Sequence, residues 1–442
     1  MTGPERVLNR IDVIAIVIGV VIGAGIFSIL PRLIVGMLGD PWLVATVWIA
    51  GGILAAIGAL CLAELATAFP DPGGEYHFLT RAYGREVGFM YGWARMTVIQ
   101  TGSIATLAFV AGDTAQQILP LGPYGPSIYA ILSVVGFTWV NVLGMRQTTS
   151  VQKVLETCTV IGLLVLIIVG FSATAPAAGP AEAAVPSWAS FGQAMVFVLF
   201  IYGGWNEAVY ISAEVKDRRR DLPVGLLTGL GIIIALYVLI NLAFLHALGP
   251  AGLAKSNAPG IDVMRDVLGD GAAMFMAGLI LVIVLTSVNV TILTGARTSF
   301  ALGRDFAPFS FLGEWTAGRN QPTRALLVQA AIALALVLLG AVSKEGVKTM
   351  VDYLSPVFWL FFILTVFAVI ILRHREPAAE RPFKVPFYPL TPLLFCLASA
   401  YVLYSSVAFL QLGALVGVAV LAAGLPFLVW VRRAPARAAQ TS

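Results

Sequence analysis

Long apolar runs separated by short polar connections recur from one end of the chain to the other. A helix needs about 20 mostly apolar residues to cross about 30 Å of hydrocarbon. On that ruler the pattern predicts twelve transmembrane helices, at 11–36, 42–69, 86–118, 127–144, 151–171, 190–213, 224–248, 271–301, 325–342, 349–372, 388–409 and 411–431. The last two nearly touch at Gln411-Leu412-Gly413. The first run follows a basic start, as a secretory signal does. It extends well past such a signal's apolar core of about 7–15 residues, so it is read as a retained span.

The connections carry their own signals. The segment 70–85 (PDPGGEYHFLTRAYGR) begins with a Pro/Gly helix stop and continues as a short helix. The stretch 172–187 is Ala/Pro-rich and reads as an irregular external loop, and 249–270 reads as an external connection with a short helix. None is long enough for a second domain, so residues 1–442 form one transmembrane domain.

Composition agrees with that pattern. The chain is 59% hydrophobic and 11% charged, against about 45–50% and about 25% in an average soluble domain. The basic residues orient it. With the N-terminus inside, 21 of the 27 Lys and Arg fall on the cytoplasmic side, five fall outside, and Arg95 lies within the third span. Both termini are then cytoplasmic, and the excess of cations marks membrane topology, not a nucleic-acid partner. Cys61, Cys158 and Cys396 lie apart in apolar runs with no CxxC pair. His77, His246 and His374 never reach the spacing of a zinc protease.

Two predicted spans contain glycine clusters at mid-depth: Gly19-Val-Val-Ile-Gly23-Ala24-Gly25-Ile26-Phe27 in the first, and Phe200-Ile201-Tyr202-Gly203-Gly204-Trp205-Asn206 in the sixth. Close helix packing through small residues accounts for either one alone. Together they occupy corresponding positions of two five-helix halves, where inverted-repeat transporters place discontinuous helices. Backbone N–H groups at such a break attract a carboxylate, and backbone carbonyls attract an ammonium or Na⁺. Unpaired backbone is tolerated in a membrane only where it lines a cavity.

The motifs GVVIGAGIF, AELATAFPDPGGEYHFLTRAYG, FIYGGWNEAVYISAEVKD, SVN with a following arginine in the eighth span, and LRHREPAAERPFKVP occur in order between about residues 9 and 390. In this combination the chain resembles the amino acid–polyamine–organocation superfamily, and within it bacterial relatives of the L-type amino acid transporter branch. The resemblance implies an all-α integral membrane protein with the leucine-transporter fold. Two inverted five-helix repeats (about 9–171 and 190–372) would be followed by two extra helices (about 388–431), with helices 1 and 6 discontinuous. It implies alternating access in a bacterial inner membrane. A substrate carboxylate would lie at the N–H groups of Ala24, Gly25 and Ile26, and its α-ammonium at the carbonyls of Val21, Phe200, Ile201 and Gly203. Phe200 takes the place of the aromatic that caps the occluded substrate.

Ionisable groups at membrane depth cost at least about 2.5–3.5 kcal/mol on insertion scales, so each needs a reason. Glu64 and Glu214 are read as gating or helix-orienting carboxylates, or as interfacial residues in water. Glu207 is read either as a substrate contact balancing a cation or as a scaffold carboxylate partnered by Arg95. In the resemblance, a lysine of the fifth span occupies the place where sodium-coupled members bind Na⁺; that position here is Thr159. A Na⁺ bound by the carbonyls of Gly19 and Ile22 and the hydroxyls of Thr286 and Ser287 is one expectation. An ion-free pocket, or proton coupling through Glu207 or Glu156, is the other. No cofactor is expected beyond a coupling H⁺ or Na⁺. An obligatory heavy-chain partner is not expected either, because the cysteines lie within spans.

The function so indicated is a secondary transporter or exchanger of amino acids. Its rivals are a polyamine or organic-amine carrier and a non-transporting amino acid sensor. An intramembrane enzyme would need a clustered nucleophile and base, and a channel would need a continuous polar lining; neither pattern is present.

Overall fold

The computed structural model describes residues 5–27, 30–174, 188–343, 346–408 and 412–433. Helices dominate it from the first described residues. Asn9 opens the first, α1 (Arg10–Val21), through a capping box in which its side chain accepts from the Ile11 and Asp12 N–H groups while Asp12 accepts from the Asn9 N–H. After a 3₁₀ turn at Ala24–Phe27 comes α2 (Leu30–Leu38). Asp40 caps α3 (Pro41–Ala68), which has proline at its first position. Two short helices follow, α4 (Glu75–Tyr83) and α5 (Arg85–Ala94). A π-turn at Arg95–Ile99 joins α5 to α6 (Gln100–Ile118) without interrupting the rod. Then come α7 (Gly125–Leu143), α8 (Met145–Ser172) and α9 (Trp188–Ile201).

A ten-residue 3₁₀ segment, Trp205–Glu214, extends α9. The second half contains α10 (Asp221–Leu253), kinked at Gly249-Pro250, α11 (Pro259–Leu268) and α12 (Asp270–Asp305). The chain continues through α13 (Thr323–Ser343), α14 (Gly346–Arg375), α15 (Leu390–Ala408), α16 (Leu412–Ala422) and α17 (Gly424–Arg433). Most of the loop expected at 172–187 lies outside the described residues, as does the Gln411 junction.

Among the described residues, eight helical segments are long and apolar enough to cross a membrane. The stretches of the other four expected spans fall on shorter pieces that do not meet that measure: α1 with α2, α9 with its 3₁₀ extension, α15, and α16 with α17. The first two are short for a structural reason, since in each the glycine cluster falls where the helical bonding stops. The exposed apolar side chains suit a hydrocarbon solvent, not water: Trp139 of α7, Ile168 of α8, and Leu397 and Tyr404 of α15 all point outward. The chain is a multi-pass membrane protein.

At the centre runs α12, the most buried of the long helices, packed on α6, α8, α1, α7 and α13. Against it and α10 lies α1, which also touches α8 and the Trp205–Glu214 segment. This arrangement puts both interrupted elements in the interior, where irregular backbone can be satisfied by neighbours instead of facing lipid.

Candidate functional site

The two interruptions touch. In α1 regular bonding ends when the Ile22 N–H reaches Ile18 O (2.8 Å) with Ile22 turned to ψ 90°; the Gly23 N–H then bonds Val21 O at 2.9 Å. In α9 the last regular bond runs from the Tyr202 N–H to Val198 O (2.9 Å), and Gly204 then turns left-handed at φ +106°. A Cβ on Gly204 would sit 2.4 Å from Val20 Cγ1 and 3.2 Å from Val20 O, so only glycine permits this approach. On the other side of the contact, a Cβ on Gly25 would lie 3.2 Å from Ile201 Cγ1.

Burial divides the cluster by chemistry. Ile22, Ile26, Ile201 and Trp205 are buried, whereas Gly23, Gly25, Gly203 and Gly204 are only partly so. Among the described residues of the cluster, the accessible part therefore lies at these glycines and at the half-buried Val20. Val21 faces the opposite way, and its carbonyl accepts the Tyr237 hydroxyl of α10 at 2.7 Å. With the Gly23 N–H at 2.9 Å, that bond fills both lone pairs of the Val21 carbonyl, so this carbonyl, expected to meet an ammonium, is already satisfied within the protein. Ala24 falls in the 3₁₀ turn and Phe200 in α9, but both side chains lie outside the described residues.

Beside this contact, Ser287 of α12 joins three carbonyls. Its hydroxyl lies 2.9 Å from Gly19 O, 3.3 Å from Ile22 O and 3.4 Å from Ile283 O. Of the residues expected around a cation, Gly19, Ile22 and Ser287 thus converge. Thr286 directs its hydroxyl to Val282 O of its own helix at 2.7 Å, and its methyl turns toward Gly19. Thr159 is buried on α8, and its hydroxyl has no partner.

A second cluster is ionic. The π-turn lifts Arg95 toward the Trp205–Glu214 segment, where its Nη2 binds both Glu207 oxygens at 2.7 and 2.9 Å. π-Turns inside helices are often found at functional sites. The Arg95 guanidinium also lies over the Tyr210 ring, 3.9 Å from its centroid. Glu207 further accepts from Thr294, and from Gln100 at 3.4 Å. Glu75, from the GGEY motif, accepts from Tyr91, and from Asn206 at 3.0 Å; Tyr91 in turn shares a hydrogen bond with Tyr210. One buried arginine therefore serves two buried carboxylates, one directly and one through tyrosines. Of the two readings of Glu207, the geometry brings it to Arg95.

The model for the family described as amino acid permease matches residues 8–429. The chain belongs to the amino acid permease family. Human b(0,+)-type amino acid transporter 1 is 27% identical over 415 residues, 92% of this chain and 83% of the relative. Mouse Asc-type amino acid transporter 1 is 27% identical over 434 residues, 96% of this chain and 80% of its own. The serine/threonine exchanger SteT of Bacillus subtilis is 27% identical over 428 residues, 96% of each chain. This chain is accordingly a membrane transport protein and not an enzyme.

In this permease-family chain, one end of the bundle is closed by ion pairs. Glu64, almost fully buried, receives two hydrogen bonds from Arg373 (2.6 and 2.8 Å) and one from the Val385 N–H at 2.6 Å. It thereby ties α3 to the segment ERPFKVP. Glu214 meets Arg297 at 2.6 Å with both side chains fully buried. Arg304 binds Asp71 at 3.0 Å, and Tyr76 donates to Asp305 at 2.8 Å. The backbone of Leu8 bonds Glu214 O (3.0 Å) and the Lys216 N–H (2.9 Å), lacing the start of α1 to the end of the sixth-span segment.

Several of these residues escaped the sequence reading. Arg297 looked like one more cytoplasmic cation, although it is the arginine that follows SVN in the family motif. Glu75 reads in the sequence only as part of the short helix after the Pro/Gly stop; the signal present was the glycine pair that lets Tyr210 lie against it, since a Cβ on Gly74 would be 2.5 Å from the Tyr210 ring. Tyr237 gave no signal beyond being a tyrosine in an apolar run.

Proposed function

We propose that this chain moves amino acids across a bacterial inner membrane by alternating access, holding the substrate's α-carboxylate and α-ammonium at the paired interruptions. The observation that carries this reading is the contact of the two breaks, Gly204 against Val20 and Gly25 against Ile201. Partly accessible glycine backbone beside buried isoleucines suits a ligand recognised by its charged backbone atoms. The carboxylate takes the N–H groups of Ala24, Gly25 and Ile26, and the ammonium takes carbonyls of Phe200, Ile201 and Gly203; Val21, whose carbonyl Gly23 and Tyr237 already occupy, drops out of the set.

The framework is the twelve-span, two-repeat one: repeats at about 9–171 and 190–372, extra helices at about 388–431, and both termini in the cytoplasm. Glu64, Glu214 and their arginines form the cytoplasmic gate. Two of the relatives are named as amino acid transporters and the third as a serine/threonine exchanger, and the same substrate class fits this site. Glu207 serves the break as a scaffold carboxylate held by Arg95. That pairing disfavours a polyamine, which would need an unpaired carboxylate in its place.

Counterflow in proteoliposomes tests the reading. Vesicles loaded with unlabelled amino acid should accumulate the labelled one transiently, for at least one of the twenty. Binding by thermal shift without counterflow would instead make the protein a sensor, and counterflow of putrescine alone would make it an amine carrier.

A further inference from the structure

Among the described residues, Glu156, midway along α8, is the one buried charged side chain with neither carboxylate oxygen partnered. It is 5% exposed. Gln152 and Thr159 flank it on the same helix face, and the Gln152 amide nitrogen and the Thr159 hydroxyl are also buried without partners. This face meets α1 at Gly19. A Cβ there would be 2.0 Å from Gln152 Nε2 and 2.9 Å from Glu156 Oε2, so the glycine makes room for both polar groups.

A relay of amides fixes what Glu156 faces. The Asn141 amide donates to Phe137 O (2.8 Å) and to Asn289 Oδ1 (3.0 Å); Asn289 donates to Gln152 Oε1 (2.9 Å). The oxygen of Gln152 is thereby committed, and its NH₂ group turns toward α1 and the Glu156 side. Ionisable neighbours are engaged elsewhere. Asp12 of α1 pairs with Lys153 at 2.6 Å, and Tyr237 of α10 binds Val21 O. Asp262 of α11 is bound by Ser256 and Arg265. From α12 the near residues are neutral Thr286, Ser287 and Asn289, and from α7 the neutral Asn141.

A buried carboxylate without a counter-ion is costly and needs a cation or a proton. A metal cation prefers a shell of oxygens, whereas the committed Gln152 presents an N–H donor, which suits a carboxyl group that gains and loses H⁺. We propose that Glu156 is the proton-carrying group of the transport cycle. Its carboxylate takes H⁺ from hydronium on one side of the membrane, forming an O–H bond and leaving water. It returns H⁺ to water on the other side. Gly19 lies four residues before Gly23, so a tilt of α1 about its interruption uncovers Glu156. This inference deepens the transport reading and rests on it.

The test uses the full chain in proteoliposomes containing a pH-sensitive dye, with the amino acid that gives the fastest counterflow. Wild type should carry H⁺ with substrate when Na⁺ is replaced by choline. Glu156→Gln should keep counterflow within about threefold and lose at least about 90% of substrate-driven H⁺ movement, since exchange needs no net protonation. Proton movement retained in E156Q, or wild-type transport that requires Na⁺ and moves no H⁺, overturns the proposal. Wild type without counterflow overturns the transport reading instead. If E156Q does not fold, labelling of wild type by dicyclohexylcarbodiimide decides: modification at Glu156 that rises at low pH supports the proposal, and a Glu156 unlabelled at every pH refutes it.

Discussion

Arg95 holds both carboxylate oxygens of Glu207, at 2.7 and 2.9 Å, three residues beyond the left-handed Gly204 that ends the α9 helix. The pair joins the π-turn of the third span to the restart of the sixth. The segment that follows the α9 break is thus tied to the rod formed by α5 and α6.

Breaking this pair from one side leaves a buried charge. Removing one partner of a buried ion pair costs about 3–5 kcal/mol, whereas replacing both by apolar residues is often neutral. Arg95→Met and Glu207→Leu should each lower the Tm in detergent by several degrees, and the double variant R95M/E207L should regain most of that loss. Equal losses that simply add would show that the two side chains act independently.

The glycine contact can be tested against a built-in control. Gly204→Ala forces φ +106° on a side chain and a 2.4 Å clash with Val20, so it should abolish counterflow. Gly231→Ala, on the exposed face of α10 with open space around it, should keep activity and change stability by no more than about 1 kcal/mol. Full counterflow in G204A would remove the close approach from the account.

Cys61 offers a probe of the gate proposed at Glu64. It is fully buried one turn from Glu64 on α3. Hydrogen bonds to charged groups contribute about 1.5–3 kcal/mol, so losing part of the Arg373 grip should shift gate opening by about tenfold or more. In a Cys158→Ser background, Glu64→Gln should accelerate N-ethylmaleimide labelling of Cys61 by that factor. Unchanged labelling would mean that Glu64 orients its helix without gating.

The pair of Arg81 and Glu376 predicts a pH dependence. Two hydrogen bonds from Arg81 hold the Glu376 carboxyl below the ordinary carboxylate range. With the folded value depressed, the stabilisation is complete above the ordinary carboxyl value and vanishes as pH falls through the folded one. The side chains are 40% and 30% exposed, so screening limits the pair to about 0–1 kcal/mol. Glu376→Gln should therefore lower Tm by a degree or two at pH 7, and the difference should close as pH falls through the depressed titration of the folded carboxyl. A difference of constant size throughout the acid range would assign the effect to packing.

The sequence made the spans legible because hydrocarbon admits little besides apolar helix, and the breaks legible because Gly23 and Gly203-Gly204 punctuate otherwise uniform runs. Arg95 was legible as a partner for Glu207 because charges at depth are scarce. The rest depended on helix-to-helix register. That Tyr91, Tyr210 and Asn206 gather on Glu75 follows from the packing of α4, α5 and the Trp205–Glu214 segment, which no local pattern encodes. The same holds for Arg297 reaching Glu214 across 83 residues, and for the Asn141–Asn289–Gln152 relay across three helices.

In the proposed function the paired breaks recognise the α-carboxylate and α-ammonium together. Competition against counterflow of the best amino acid measures this directly, using the matching amine without the carboxylate and the matching acid without the amine. The account predicts that each analogue inhibits at least about a hundredfold more weakly than the parent, since each leaves one set of backbone groups unpaired. Equal inhibition by the amine would contradict it, because the N–H groups of the first break would then contribute nothing.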